Sequence, residues 1–167
     1  MDKAEQQLKT GILELKKIFF ELQIKPIKLI GRVKDKKSVR SKSMSMHKGS
    51  IPNKINLSDS IGMRAIFKTD TDLNKAYNGI IKKEHIIYIK DYVNNPRRDG
   101  LILKTDPSEV YQSYHIFTDS LNGTLTEVQL RTLKMEKHRL RLKNKYGDGY
   151  WKTKEFRKLK YMLGDKR

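Results

Sequence analysis

Cysteine is absent from the 167-residue sequence, and no apolar run is long enough to cross a membrane. The first absence excludes disulfides and thiolate metal sites and is compatible with a reducing cytoplasm, where we expect the protein. The second excludes a helical membrane span, which needs roughly 18 apolar residues in a row. Because no apolar signal core follows Met1–Gln6, we do not expect secretion by that route.

Two common phosphate-binding signatures are also missing. The sequence contains neither the Gly-x-x-x-x-Gly-Lys-Ser/Thr loop nor the Gly-x-Gly-x-x-Gly pattern, so it supports neither a P-loop protein nor a dinucleotide-binding fold. The four histidines lack the spacing of zinc ligands, and none is followed by aspartate. Chemistry that depends on any of these motifs is therefore not expected.

Positive charge is what the sequence has in excess. The formal net charge is +18, and it is concentrated in two segments. Residues 25–54 hold ten basic residues and one acidic residue, and residues 133–167 hold thirteen basic and four acidic residues; the remaining basic and acidic residues cancel. Two basic segments on a neutral scaffold predict two places where phosphates gather, although solvated lysine-rich surfaces would give the same counts.

The order of the predicted elements indicates one α/β (α+β) domain with a mixed sheet of about five strands flanked by helices. An amphipathic helix is predicted over residues 2–23, and Pro26 ends it. A second helix starts at Thr69 or Thr71 and runs to about residue 83, although Asn78-Gly79 could shorten it. A polar helix over 35–47, a long loop over 94–110 and a basic helical tail over 133–163, broken near Gly147-Asp148-Gly149, complete the pattern. Strands are predicted at 27–33, 61–67, 85–90, 111–118 and 124–132, the last two joined by a turn containing Asn122-Gly123.

The last two strands carry unlike polar groups on one face each. Alternation along a strand places Glu127, Gln129 and Arg131 on one side, with Val128 and Leu130 on the other. The same alternation groups Tyr111, Ser113 and His115 on the preceding strand. Either strand alone would be an ordinary half-exposed hairpin strand, but an acid, an amide, a base and an imidazole on adjacent strands favour a site.

Two further groups of residues are suited to anions or metals. Arg32 and Lys34 share a strand face, and Ser38 and Lys42 follow at four-residue intervals, so the four could form a positive cradle for a polyphosphate. Asp59 stands just before a buried strand, where a carboxylate either caps a turn or binds a metal. Arg64 lies inside that strand and is costly to bury without an anionic partner.

Taken together, five segments in order resemble the synthetase domain of the RelA/SpoT family, which makes the alarmones ppGpp and pppGpp. Gly31-Arg32-Val33-Lys34 with Ser38 and Lys42 resembles G-R-x-K-x-x-x-S-x-x-x-K, and Asp59–Arg64 resembles D-x-x-G-x-R. The remaining three segments, which resemble D-Y-I-x-x-P-K-x-N-G, Y-Q-S-L-H and E-x-Q-I-R-T, are Asp91–Gly100, Tyr111–His115 and Glu127–Thr132. The resemblance covers roughly residues 28–135. It implies a nucleotidyltransferase-like fold with an N-terminal helix over 1–24, a catalytic core over 28–135 and a basic helical tail over 136–167, all in one domain 1–167.

The resemblance also implies an activity and roles for the matched residues. The activity would be transfer of the β,γ-pyrophosphate of ATP to the 3′-hydroxyl of GTP or GDP, with Mg²⁺ as cofactor. Asp59 and Glu127 would hold the metal, and Glu127 would also act as the base. The ATP-binding residues would be Arg32, Lys34, Ser38, Lys42 and Arg64. Tyr111 would stack on the acceptor base, and the residues that orient the acceptor would be His115, Gln129 and Arg131.

Departures from the family pattern bear on degradation and on the acceptor. The histidine–aspartate pair of the family's hydrolase is missing, so we expect synthesis without degradation. Leu101–Val110 lengthens the loop before Tyr111, and the segment after Thr132 is more basic than the family usually shows. The basic segment 133–167 has no task in an enzyme that uses nucleotides alone.

Two acceptors are therefore consistent with the sequence. GTP or GDP is the first, and the 3′ end of tRNA, the target of toxic relatives, is the second, because Tyr146, Tyr150 and Trp151 interleave with the tail's basic residues. An antitoxin protein would be a partner in the second case. An inactive nucleic-acid-binding relative is a third reading, but binding alone gains nothing from Asp59 and Glu127.

Overall fold

The computed structural model describes residues 3–33, 61–95 and 111–146. It contains three helices and five strands within these ranges. In chain order they are α1 (Lys3–Glu21), β1 (Lys28–Val33), β2 (Ile61–Phe67), α2 (Asp70–Lys83), β3 (Ile86–Asp91), β4 (Tyr114–Thr118), β5 (Thr126–Thr132) and α3 (Leu133–Tyr146). The predicted helix over 35–47, the loop beyond residue 95 and the tail beyond residue 146 lie outside the described residues.

The five strands form one mixed sheet in the order β1-β2-β5-β4-β3. β2 and β5 are parallel, and the other neighbours are antiparallel. The predicted mixed sheet of about five strands is thus confirmed. β4 begins at Tyr114, three residues later than predicted, and β5 begins at Thr126, so seven residues separate the two strands. Within that connection Gly123 has φ +69, the left-handed conformation for which a glycine is suited.

The predictions of helices α1 and α2 are confirmed, and local sequence signals explain where these helices begin and end. At the end of α1, Gln23 adopts φ 54 and Ile24 N–H donates to the Phe19 carbonyl, a helix-ending pattern that Pro26 follows. Thr69 caps α2, because its side-chain oxygen accepts from Asp72 N–H at 3.1 Å. The Asn78-Gly79 pair does not shorten α2, which continues to Lys83.

One face of the sheet is apolar and is covered by α1 and α2. Leu15 and Phe19 of α1 and Leu73 and Ile80 of α2 are buried there, and the Phe19 ring meets Phe67 of β2 edge-on. From the strands, the core takes Met63, Ala65, Val128, Leu130 and Ile116, which are at most 1% exposed. Since strand side chains alternate, the intervening residues of β2, β4 and β5 point to the opposite face.

The third helix follows the sheet without a loop. α3 starts at Leu133, the residue after β5 ends, and Thr132 Oγ1 accepts from Met135 N–H at 3.3 Å in the first turn. α3 packs against β5 and β2 and buries Leu142 completely. None of the described helices is long and apolar enough to span a bilayer.

Candidate functional site

The polar side chains of β5 are joined to one another. Gln129 Nε2 donates to Glu127 Oε1 at 3.1 Å, and Gln129 Oε1 accepts from Arg131 Nη2 at 2.8 Å. Val128 and Leu130 between them are fully buried in the core. The predicted division of this strand into a polar and an apolar face is therefore confirmed, and the bonds fix which end of the Gln129 amide points each way.

Parallel pairing brings Arg64 of β2 to the same place. Arg64 lies opposite Gln129, and its Nε donates to Gln129 Oε1 at 3.3 Å. Gly62 lies opposite Glu127, so no side chain from that position covers the carboxylate. The result is a cavity of about 150 Å³ at the β1–β2–β5 part of the sheet. Its lining residues are Ile30, Gly31, Arg32, Gly62, Met63, Arg64, Glu127 and Gln129.

A chain of hydrogen bonds runs from Glu127 across β4. His115 Nδ1 lies 2.8 Å from Glu127 Oε1, and His115 Nε2 lies 2.8 Å from the Tyr111 hydroxyl. Arg131 Nη2 donates to that same hydroxyl. Because an arginine only donates and a carboxylate only accepts, Arg131 donates to Tyr111 and His115 Nδ1 donates to Glu127. When the imidazole is neutral, Tyr111 in turn donates to His115 Nε2.

Burial lowers the pKa of His115, and the hydrogen bond and charge of Glu127 oppose this only in part. The imidazole is therefore held neutral at neutral pH, and its Nε2 accepts from the Tyr111 hydroxyl. A neutral imidazole with its proton on Nδ1 orients the Glu127 carboxylate without cancelling its charge. Glu127 is 5% exposed and lies at the wall of a cavity that also contains arginine.

Tyr111 is buried rather than presented to solvent. It is 8% exposed, its ring packs edge-on against Tyr92, and the Arg131 guanidinium lies 5.1 Å from its centroid. Arg131 Nε also donates to Ser113 Oγ at 3.1 Å. Tyr111, Ser113 and His115 therefore share one side, as predicted. The expected stacking of Tyr111 on an acceptor base stays a prediction.

One residue that sequence reasoning missed lies at the centre of the cationic groups. Glu136 of α3 is 8% exposed and accepts from Arg64 Nη1 at 3.3 Å and from Arg131 Nη1 at 2.7 Å. Arg139, one turn along α3, also contacts it, with Nη2 2.8 Å from Oε1 and Nε 3.0 Å from Oε2. Glu136 is thus the anionic partner that the burial of Arg64 was expected to require. Its spacing of three residues from Arg139 was the available sequence signal.

The electrostatics of this cluster follow from its contacts. Burial raises the pKa of Glu136, but hydrogen bonds from Arg139 and Arg131 and the charges of Arg131 and Arg64 outweigh it and hold the pKa at about 2. Burial lowers the pKa of Arg64, and the nearby Arg131 charge lowers it further. Three guanidinium groups around one carboxylate leave a net positive cluster beside the cavity, which suits phosphate.

Several predicted site residues fall outside the described ranges. These are Lys34, Ser38, Lys42 and Asp59. The expected phosphate cradle is thus represented by Arg32, which lines the cavity with Arg64. The predicted pairing of Asp59 with Glu127 stays a prediction.

Glu127 is the one predicted magnesium ligand among the described residues. In the described parts of the chain no three acidic, histidine or cysteine side chains cluster as metal ligands. Mg²⁺ is commonly held by one or two carboxylates together with substrate phosphates, so a three-residue cage is not required. A carboxylate at the wall of a cavity whose lining also includes Arg32, Arg64 and two glycines fits that mode of binding.

A family model described as "Region found in RelA / SpoT proteins" matches residues 31–146. No curated protein matches the sequence.

Solved structures give matches over nearly the whole chain. A GTP pyrophosphokinase family protein from Streptococcus pneumoniae is 23% identical with a TM-score of 0.59, over 98% of this chain and 87% of that one. Small alarmone synthetase 1 from Bacillus subtilis, bound to its product pppGpp, is 18% identical with a TM-score of 0.60, over 97% and 92%. Small alarmone synthetase 2 from the same organism is 22% identical with a TM-score of 0.53, over 96% and 91%. At these identities the likeness shows a shared fold.

Proposed function

The chain belongs to the family of RelA/SpoT proteins, and on that premise we propose that it transfers the β,γ-pyrophosphate of Mg-ATP to the 3′-hydroxyl of GTP or GDP, forming (p)ppGpp. We include in the proposal that it does so without hydrolysing the product. A solved structure of the same fold, small alarmone synthetase 1 from Bacillus subtilis, is bound to its product pppGpp. The observation that carries the proposal is the Glu127 carboxyl group in one cavity with Arg32 and Arg64.

The reaction needs positioning and charge more than covalent chemistry from the protein. The acceptor 3′-oxygen forms a bond to the β-phosphorus of ATP, the bond from that phosphorus to the α,β-bridging oxygen breaks, and AMP leaves. Arg32 and Arg64 would bind the ATP phosphates and offset the charge that develops on the leaving group. Lys34, Ser38 and Lys42 are proposed to extend this phosphate site.

Glu127 would take the proton of the acceptor hydroxyl. Its carboxylate is oriented by His115 Nδ1 and Gln129 Nε2, which both donate to Oε1. Mg²⁺ held by Glu127 and Asp59 would supply positive charge at the reacting phosphates. Gln129 and Arg131 are proposed to orient the acceptor together with His115, and Tyr111 to contact its base.

The test combines labelled ATP with Glu127→Gln. The protein is incubated with ATP carrying label at the α, β or γ position and is offered GTP, GDP, ATP or bulk tRNA in parallel. Pyrophosphate transfer puts the β and γ labels on the acceptor and leaves the α label in AMP. Glu127→Gln should abolish transfer while ATP binding is retained, because the glutamine oxygen can still accept from His115 and Gln129.

Glu5→Gln, which alters an exposed carboxylate of α1, is the matched control and should transfer at the wild-type rate. Turnover by Glu127→Gln equal to that of Glu5→Gln would remove Glu127 from the mechanism. Label appearing on an acceptor only from the γ position would replace the proposal with simple phosphate transfer.

The 3′ end of tRNA is a second candidate acceptor, favoured by one observation. α3 keeps Lys134, Lys137 and Arg141 exposed on its surface, in addition to Arg139, which binds Glu136. Exposed cations on one helix suit an RNA backbone. Label on tRNA and not on GTP or GDP in the same experiment would select this acceptor, and an antitoxin partner would then be expected.

A further inference from the structure

The ion-pair cluster around Glu136 contains more cations than its carboxylate can neutralise. Arg64 and Arg139 contact Oε1, whereas Arg131 and Arg139 contact Oε2, so both oxygens are in use. An isolated structural ion pair would need one cation. The excess positive charge lies at the boundary between α3 and the cavity.

Arg64 links this cluster to the cavity. Its Nη1 contacts Glu136, its Nε contacts Gln129, and its side chain is 27% exposed where it lines the cavity. In contrast, the Arg131 side chain is 2% exposed and does not line the cavity, so it would act on the acceptor through Gln129 and Tyr111, to which it donates. Arg64 is thus the arginine of the cluster that lines the cavity.

Removal of the Glu136 charge would leave three guanidinium groups crowded together without their shared anion. Arg131 is fixed by Ser113 and Gln129 as well, so it would stay in place. Arg64 and Arg139 are part-exposed and would move towards solvent to reduce the repulsion. The direction of Arg64 in the cavity therefore depends on a residue that does not line it.

We propose that Glu136 is a positioning residue that holds the Arg64 guanidinium in the orientation that binds the ATP phosphates. The expected effect on the KM for ATP rests on the proposed function, whereas the expected effect on the orientation of Arg64 does not. Glu136 itself makes no contact with substrate in this proposal and acts through Arg64.

The kinetic test is Glu136→Gln in the full chain. Loss of a charge-assisted hydrogen bond on Arg64 should raise the KM for ATP at least roughly tenfold, with a smaller change in kcat, because Arg64 would bind the phosphates in ground and transition states alike. Glu136→Asp keeps the charge but shortens the reach, and should give an intermediate KM.

Leu73→Ala is the control for a purely structural role, since Leu73 is buried in the core away from the cavity. Leu73→Ala should lower the stability of the protein and therefore its folded fraction, which lowers the apparent kcat and leaves the KM unchanged. If folded Glu136→Gln gives the same pattern as Leu73→Ala, the positioning role is wrong. Should Glu136→Gln fail to fold, the KM of Glu136→Asp decides in the same way.

A second measurement does not depend on enzymatic activity. In ¹⁵N NMR spectra of the arginine side chains, the Nε–H signals of Arg64, Arg131 and Arg139 should all be protected in the wild type, because each donates a hydrogen bond. In Glu136→Gln, Arg139 and Arg64 should lose protection and Arg131 should keep it, and in Glu136→Asp the loss at Arg139 and Arg64 should be smaller. Unchanged Arg64 and Arg139 signals overturn the inference, whereas absence of transfer by the wild type overturns only the proposed function.

Discussion

His115 lies in the middle of the hydrogen-bonded chain between Arg131 and Glu127, and its protonation state decides whether the chain is continuous. It must be neutral at Nε2 to accept from Tyr111 while Nδ1 donates to Glu127. Protonation would place a donor against the Tyr111 hydroxyl, which already accepts from Arg131. The burial that lowers the pKa of His115 therefore also maintains the direction of the chain.

This arrangement predicts a pH dependence of stability. The pKa of His115 is lower in the folded protein than in the unfolded chain, so the unfolded state binds more protons between these two pKa values. The free energy of unfolding should therefore fall as the pH drops below about 6.5, the ordinary histidine value. Urea denaturation between about pH 8 and pH 5 measures it.

His115→Gln should reduce this dependence, whereas His85→Gln should leave it unchanged, because the His85 side chain is 73% exposed. Equal slopes for the wild type and His115→Gln over this range would contradict the prediction.

At the same scale, the sequence predicted some of the candidate site and missed its centre. Alternation along β5 was enough to group Glu127, Gln129 and Arg131, because strand periodicity is local. The contact between Arg64 and Glu136 joins residues 72 positions apart, and a side-chain ion pair of that kind leaves no periodic signal. The sequence did indicate that Arg64 needed an anion, but not which one.

At the scale of elements, α3 is part of the site and not an appended tail. The expected boundary between a core ending at 135 and a tail beginning at 136 passes beside Glu136, whose carboxylate contacts arginines of β2 and β5. α3 is held there by Leu142, which is fully buried, and by its direct continuation from β5.

Truncation of the buried Leu142 side chain should lower the free energy of unfolding far more than truncation of the exposed Leu140 side chain. Leu142→Ala should reduce the free energy of unfolding by about 2–5 kcal/mol, the range for large buried aliphatic side chains. Leu140→Ala on the same helix, where the side chain is 41% exposed, should change it by less than about 0.5 kcal/mol. Urea denaturation compares the two, and similar losses would mean that α3 is not docked through Leu142.

Element types were predictable and their arrangement was not. The Asn122-Gly123 signal predicted that β4 and β5 are antiparallel neighbours, and they are. The parallel contact of β2 with β5, which forms the cavity, has no local signature because α2, β3 and β4 come between them in the chain. The start of β4 was predicted three residues too early, at Tyr111 instead of Tyr114.

At the scale of the whole molecule, the position of the cations that an acceptor would use differs between the two candidate acceptors. Nucleotide substrates need cations only at the cavity, whereas RNA would use exposed cations along α3. The affinity of a protein for single-stranded nucleic acid falls with salt by a slope of about 0.7 for each phosphate contact.

If RNA binds α3, replacing Lys134, Lys137 and Arg141 by glutamine should reduce that slope by about 2 and weaken RNA binding. Fluorescence titration of labelled RNA at several salt concentrations measures both. The matched control removes three exposed lysines from α1 and α2, which cover the apolar face of the sheet: Lys16, Lys75 and Lys82. Equal losses from the two triple variants would mean that net charge, and not α3, governs binding.

The parallel pairing of β2 with β5 has a consequence for folding during synthesis on the ribosome. Arg64 meets Gln129 only after 65 further residues have been made, and Glu136 comes later still. At about 5–20 residues per second, translation leaves Arg64 without these partners for several seconds. A ribosome-bound chain that has not reached α3 therefore lacks the contacts of Arg64 with Glu136, and the cavity wall that Arg64 helps to form is not yet fixed.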